Sequence, residues 1–124
     1  MRKMDILSAE EKICAWVESI TEMREKVFRN TLPGNVDEGF EVRIVSGTPA
    51  TFDKVNEFTF EVTGFSLNRK ELWEKFEKIC AGLPLQGKEG LLFVKLKDEV
   101  TFGMKEKRGR QLFSIRTLLK AAFV

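Results

Sequence analysis

The chain contains neither histidine nor tyrosine among its 124 residues. Histidine is the most common general base, the usual partner of a nucleophilic serine or cysteine, and a frequent metal ligand. Its absence excludes every Ser-His and Cys-His arrangement. We therefore predict that the protein is not an enzyme.

Cysteine is scarce as well. The two cysteines, Cys14 and Cys80, lie about 66 residues apart and match no metal or redox spacing such as Cys-x-x-Cys. A zinc site would need both of them together with carboxylates, which is an uncommon ligand set. We predict two buried thiols in a reducing cytoplasm, with no metal and no cofactor.

Long apolar runs and glycine-rich phosphate loops are also missing. No run approaches the ~20 residues that span a bilayer. The N-terminus mixes charged and apolar residues within its first ten positions, unlike a signal peptide. Neither G-x-x-x-x-G-K-[ST] nor G-x-G-x-x-G occurs. These absences predict a soluble cytoplasmic protein with no membrane partner and no phosphate-binding loop.

The charges nearly cancel, because 21 Lys and Arg oppose 19 Asp and Glu for a net charge of +2. They are unevenly distributed, since residues 105–120 contain six bases and one acid, a balance of +5 that leaves −3 for the rest. We predict an electrostatic contact site among these bases. Its members are Lys105, Lys107, Arg108, Arg110 and Arg116.

The first of two predicted helices covers about residues 9–28. Ser8 is its predicted N-cap, and apolar residues that include Val17 and Ile20 recur at three- and four-residue steps and are predicted to be buried. Pro33 and Gly34 follow its predicted end.

The second predicted helix covers about residues 69–81, with Asn68 as N-cap. Gly82 and Pro84 follow its end. Its apolar stripe is predicted to be buried and includes Leu72, Phe76 and Ile79.

Strands are predicted where apolar and polar residues alternate. The clearest is Glu57–Thr63, in which Phe58, Phe60 and Val62 share one buried face. Further strands are predicted at about residues 40–44, 91–96, 100–104 and 111–117, and residues 118–124 either continue the last strand or turn helical. Short links favour antiparallel pairing. We interpret residues 1–124 as one α+β domain with two helices, a four- to five-stranded antiparallel sheet and the order α-β-β-α-β-β-β.

A succession of segments carries a resemblance. After the leading helix come Leu32-Pro-Gly-Asn-Val-Asp-Glu38, the strand Phe40–Ile44, Ser46-Gly-Thr-Pro49, Phe52-Asp-Lys-Val55, the strand Phe58–Thr63, the helix Leu72–Ile79 and a late strand within Gly109–Arg116. Over about residues 8–117 this order resembles the tail-terminator and minor-capsid (head–tail completion) proteins of long-tailed phages and prophages. The apolar tail after Arg116 departs from the family pattern.

The resemblance implies a compact α+β subunit of the virion, present in the host cytoplasm during assembly. Such proteins form a ring, typically of six copies, that stops polymerisation of the tail tube and joins the head connector. The implied partners are further copies of the chain, the tail tube protein and head connector proteins, with DNA passing through the lumen without sequence-specific contact. The bases named above would then lie at the subunit junction or face the lumen.

Two other functions stay open at the level of sequence. A small nucleic-acid-binding module would use the basic C-terminal third, and its affinity would fall steeply between low and moderate salt. A small enzyme or ligand-binding domain would need a pocket between a helix and the sheet, and the missing histidine and phosphate loops speak against it.

Overall fold

The computed structural model describes residues 6–23, 26–29, 34, 36–48, 56–81, 83, 85–88, 91–96, 100–107 and 109–123. These residues form the helices α1 (Ile6–Thr21) and α2 (Arg69–Ala81) and the strands β1 (Val27–Arg29), β2 (Gly39–Thr48), β3 (Asn56–Ser66), β4 (Leu85–Lys88), β5 (Leu91–Leu96), β6 (Thr101–Lys107) and β7 (Arg110–Phe123). The α+β class is confirmed. The predicted order α-β-β-α-β-β-β is wrong in that it lacks two short strands, β1 and β4.

The first helix is shorter than predicted at its C-terminal end. α1 begins at Ile6, so Ser8 lies inside the helix, and it ends at Thr21 instead of residue 28. Glu22 adopts a φ of 59°, the left-handed conformation that commonly ends a helix. The predicted stop signal at Pro33 lies outside the described residues.

The sheet has seven strands and one parallel pair. Its order is β1-β2-β3-β7-β5-β4, and β6 pairs with β7 outside this path. β1 runs parallel to β2, with Val27 opposite Phe40, whereas the other described pairs are antiparallel. The amide of Phe40 also donates to the carbonyl of Lys26 at 2.8 Å. The prediction of an entirely antiparallel sheet of four or five strands is therefore wrong at β1 and in strand number.

β7 organises the sheet because it has partners along both sides. β3 pairs with one side from Ser66 opposite Phe113 to Asn56 opposite Phe123. On the other side, β6 pairs with the first half of β7 and β5 with the second half. Residues 118–123 thus continue the last strand. β6 and β7 form a hairpin in which Lys107 pairs with Arg110 around Gly109, whose φ is 75°.

The main core lies between one face of the sheet and the two helices. Phe58, Phe60 and Val62 of β3 are buried there, as predicted, together with the predicted helix residues Val17, Leu72, Phe76 and Ile79. Ile20 is only half-buried, which corrects its predicted burial. A second, small cluster on the opposite face joins Phe65 and Leu112.

α2 begins and packs as its sequence dictates. The side-chain oxygen of Asn68 accepts the amide of Glu71 at 3.2 Å, so the predicted N-cap is confirmed. Gly64 of β3 lets the helix approach closely, because a Cβ there would lie 2.7 Å from Phe40 Cε1 and 2.8 Å from Leu72 Cδ1. The predicted end signals Gly82 and Pro84 lie outside the described residues. Of the helices in the described part of the chain, none has the length and apolarity to cross a membrane.

Candidate functional site

β6 lies at an edge of the sheet. One side pairs with β7, and no strand among the described residues pairs with the other side. All residues of β6 except Lys107 are exposed. An edge of this kind presents backbone N–H and C=O groups that a further strand can bond.

The side of β6 that faces α2 is apolar. Phe102 and Met104 lie two residues apart and are opposite Ile115 and Phe113 of β7. They are nevertheless 59% and 57% exposed, because α2 does not extend over them. Trp73 of α2 is 40% exposed, and its ring centre lies 5.7 Å from that of Phe102.

These residues border an open groove of about 720 Å³ between α2, β6 and β7, which we call the edge groove. Its apolar walls are Leu72, Trp73, Phe102, Met104, Phe113 and Ile115. No carboxylate, thiol or amide side chain lines it in the described part of the chain. The edge groove therefore offers apolar contact and backbone hydrogen bonds, but no acid–base pair.

Two cations stand at one end of the edge groove. Arg69 and Lys70 are the first two residues of α2, and both are exposed. A helix N-terminus carries a partial positive charge and favours acids over bases. The stability of α2 therefore does not explain this pair, which places two positive charges on the lining of the groove.

Four of the five predicted interface bases lie on the face of the β6–β7 hairpin that points away from the helices. They are Lys105, Lys107, Arg110 and Arg116. The ammonium of Lys105 is 5.1 Å from the centre of the Phe65 ring, within reach of a cation–π contact. Arg108 lies outside the described residues.

Two of these bases attach the hairpin to the segment before β2. The guanidinium of Arg110 lies 3.0 Å from the Asp37 carboxylate, and the ammonium of Lys107 donates to the carbonyl of Val36. Both cations are therefore engaged within the chain.

Arg116 belongs to a charge cluster in the middle of the same face. Glu61 of β3 lies 3.3 Å from Arg43 of β2 and 3.6 Å from Arg116 of β7. Lys120 pairs with Glu57 at 3.4 Å on the same two central strands. We call this surface, centred on Glu61, the charged face. Bases and acids alternate across it, so the basic third of the sequence does not form a purely basic patch.

The thiols have the environment of packing groups. Both cysteines are half-buried against the core, which is less burial than predicted. Burial raises the pKa of Cys14 to about 11, although Arg29 opposes the shift, and burial with Glu77 nearby also raises the pKa of Cys80. Little thiolate, the reactive form, therefore exists near neutral pH. Among the described residues no group of three potential ligands could hold a metal ion.

The edge groove is not recognisable from the amino-acid sequence. The alternation at Phe102 and Met104 predicts a strand. Whether these side chains are buried depends on which strands and helices lie beside that strand, and the sequence of a single strand does not determine the order of strands in the sheet. The sequence predicts Trp73 as part of the apolar stripe with Leu72 and Phe76, and this is wrong, since Trp73 is 40% exposed.

Comparison of the sequence with protein-family models gives no match, and comparison with curated proteins gives none either.

Proposed function

We propose that this chain is a non-enzymatic structural subunit of a long-tailed phage or prophage, which caps the tail tube as a ring of about six copies and presents the surface that joins the head. The observation that carries the binding role is the edge groove. The tail assignment itself rests on the resemblance of residues 8–117.

The edge groove supports a protein contact because it combines two features that isolated proteins usually avoid. Exposed apolar side chains such as Phe102 and Met104 gain about 25 cal/mol for each Å² that a partner covers. The side of β6 with which no described strand pairs gains hydrogen bonds at the same time, and natural proteins usually protect such an edge. A subunit that assembles only at the end of a tube can use both features, the exposed apolar side chains and the edge of β6, to bind its partner.

The charged face supports specificity in this role. It presents both signs, as in the contact of Glu61 with Arg43 and Arg116, and mixed surfaces select a complementary partner and orientation more than they add affinity. A duplex or single strand of nucleic acid would require those arginines to leave their carboxylates. The nucleic-acid-binding alternative is therefore less favoured, and DNA binding that is weak even at low salt is expected.

The test uses the phage or prophage that encodes the chain. Deletion of the gene should give tails of irregular, extended length that fail to join heads, as measured by electron microscopy. Phe102→Ser with Met104→Ser should reproduce this defect while circular dichroism shows a folded subunit. The matched control is Val45→Ser, which removes a 52% exposed apolar side chain from β2.

Tails of uniform normal length after the deletion contradict the tail-terminator proposal. Normal tails with the groove variant alone contradict the role given to the edge groove. A preliminary check is genomic: the proposal expects genes for a tail tube protein and a head connector beside this one.

A further inference from the structure

We infer that the edge groove binds an extended segment of another protein, in which apolar residues alternate with Asp or Glu, and that this segment joins the sheet as a strand beside β6. The inference rests on the proposed role of the edge groove as a contact surface, but not on the kind of particle that the subunit helps to assemble.

The backbone of β6 sets the form of the ligand. No strand in the described part of the chain pairs with the side of β6 that faces away from β7, and an extended peptide satisfies such an edge through main-chain hydrogen bonds. Seven residues at about 3.3 Å each cover roughly 23 Å, enough for six to eight residues of a bound strand.

The alternation of side chains along β6 determines which residues of the bound segment lie on the groove side. Every second residue of an added strand lies beside Phe102 and Met104, within the 4.5–5.5 Å typical of cross-strand neighbours. Trp73 and Leu72 of α2 form the opposite wall. Valine, leucine or phenylalanine at these positions covers exposed apolar surface, whereas polar residues would lose water without a partner.

The charges near β6 determine which side chains are favoured at the remaining positions of the bound segment. The intervening residues of the added strand lie on the other face of the sheet, beside exposed Lys105. Arg69 and Lys70 add positive charge at one end of the groove, and no carboxylate lines it in the part of the chain that the structure describes. Acidic residues at the alternate positions therefore complement Lys105, and an acidic residue at the end of the segment complements Arg69 and Lys70 on the groove side.

A second copy of β6 fits this surface less well. It would bring Lys105 and Lys107 with a single acid, Glu106, beside the same three charged residues of the first copy, so that two strands of net charge +1 would lie next to each other. A partner of different sequence is therefore favoured, and pairing between two copies is one outcome that the test detects.

The probe is the synthetic peptide Glu-Val-Glu-Phe-Glu-Val-Glu-Leu, with blocked ends and a fluorescein label. Its affinity for the purified chain is measured by fluorescence anisotropy, and its site by amide chemical shifts. The amides of β6 and of the first two turns of α2 should shift. The matched peptide with lysine in place of every glutamate should bind at least about tenfold more weakly, equivalent to about 1.4 kcal/mol.

Two protein variants and one control variant localise the binding. Phe102→Ser should weaken the acidic peptide by about tenfold or more, as expected for a central aromatic contact, whereas Val45→Ser should leave its affinity unchanged. Arg69→Glu with Lys70→Glu should weaken the binding of the acidic peptide and strengthen the binding of the lysine peptide. This double reversal keeps α2 folded, because acids are favourable in the first turn of a helix.

N-methylation of the peptide tests strand addition itself. Methyl groups on alternate amides block only one edge of an extended peptide. Of the two alternate patterns, one should abolish binding and the other should preserve it. Equal binding of both patterns overturns the strand geometry.

Equal affinity for the acidic and lysine peptides, unshifted β6 amides, or a dimer that forms through Phe102 and excludes the peptide would each overturn the inference. The tail measurements are independent of these results. Loss of tail control in the groove variant without peptide binding leaves the proposed function standing and removes the inference. Peptide binding together with normal tails after gene deletion leaves the inference standing and contradicts the proposed function.

Discussion

On β7, odd-numbered residues face the helices and even-numbered residues face away from them. Ile115, Leu119 and Ala121 are buried in the main core, whereas Arg116 and Lys120 form ion pairs with carboxylates of β3. The same strand therefore builds an apolar layer and a charged face. The edge groove lies where the apolar layer extends past the edge of α2.

The two faces differ in what a contact can contribute. Ion pairs of exposed side chains contribute about 0–1 kcal/mol each and are weakened by salt. Uncovered apolar surface contributes in proportion to its area, and the edge groove holds Phe102, Met104 and Trp73 together. We expect affinity to come from the groove and selectivity from the charged face.

The largest predicted effect is the difference in stability between a substitution in the core and a substitution in the groove, both within the apolar layer. Phe60→Ala removes a fully buried ring and should lower the free energy of unfolding by about 3–5 kcal/mol. Phe102→Ala removes a ring that is 59% exposed and should cost under about 1 kcal/mol, most of it from the contact with Trp73. Urea denaturation of both variants measures the difference.

Similar losses in the two variants would show that Phe102 is part of the core. The edge groove would then be a packed interior region, and its role as a contact surface would be wrong.

A smaller effect should report the close approach of α2 to the sheet. Gly64→Ala places a Cβ 2.7 Å from Phe40 and 2.8 Å from Leu72, and relief of this overlap should cost about 1–3 kcal/mol. The matched control is Gly103→Ala on β6, where the nearest atom is Ser114 Oγ at 3.1 Å on an exposed strand. That control should change stability by less than about 0.5 kcal/mol.

Thermal unfolding compares the two glycine variants. An unchanged melting temperature for Gly64→Ala would mean that α2 moves away from β3 at little cost, which would also widen the edge groove.

The elements that the sequence predicts well are those whose pattern is local and long. Seven consecutive residues of β3, Glu57–Thr63, alternate without interruption, and α2 has both a capping residue and an apolar stripe. β1 is only three residues long, and Val27 fits the helical period of the preceding residues equally well. α1 ends where Glu22 adopts the left-handed conformation. This end is hard to predict because the position holds a glutamate and not the glycine that usually marks such a conformation.

The site is harder to predict because it depends on sheet order. Arg110 and Arg116 are recognisable as bases, but their partners Asp37 and Glu61 lie 73 and 55 positions away in the sequence. The exposure of Phe102 follows from two long-range facts: β6 shares one side of β7 with β5, and α2 lies over β3 and β7. Neither fact is contained in the local pattern of residues 101–107.

The smallest effect should come from the centre of the charged face. Glu61→Gln keeps the shape of the side chain and removes the charge that pairs with Arg43 and Arg116, so it should cost about 0.5–1 kcal/mol at low ionic strength. The loss should shrink in 1 M salt, where the Debye length is about 3 Å. Glu74→Gln, on the exposed surface of α2, is the matched control and should be near neutral. Urea denaturation at both salt concentrations gives the comparison. A loss above about 2 kcal/mol that is independent of salt would mean that Glu61 acts as a buried acceptor within the sheet, and the charged face would then be part of the folded core and not a surface available for selecting a partner.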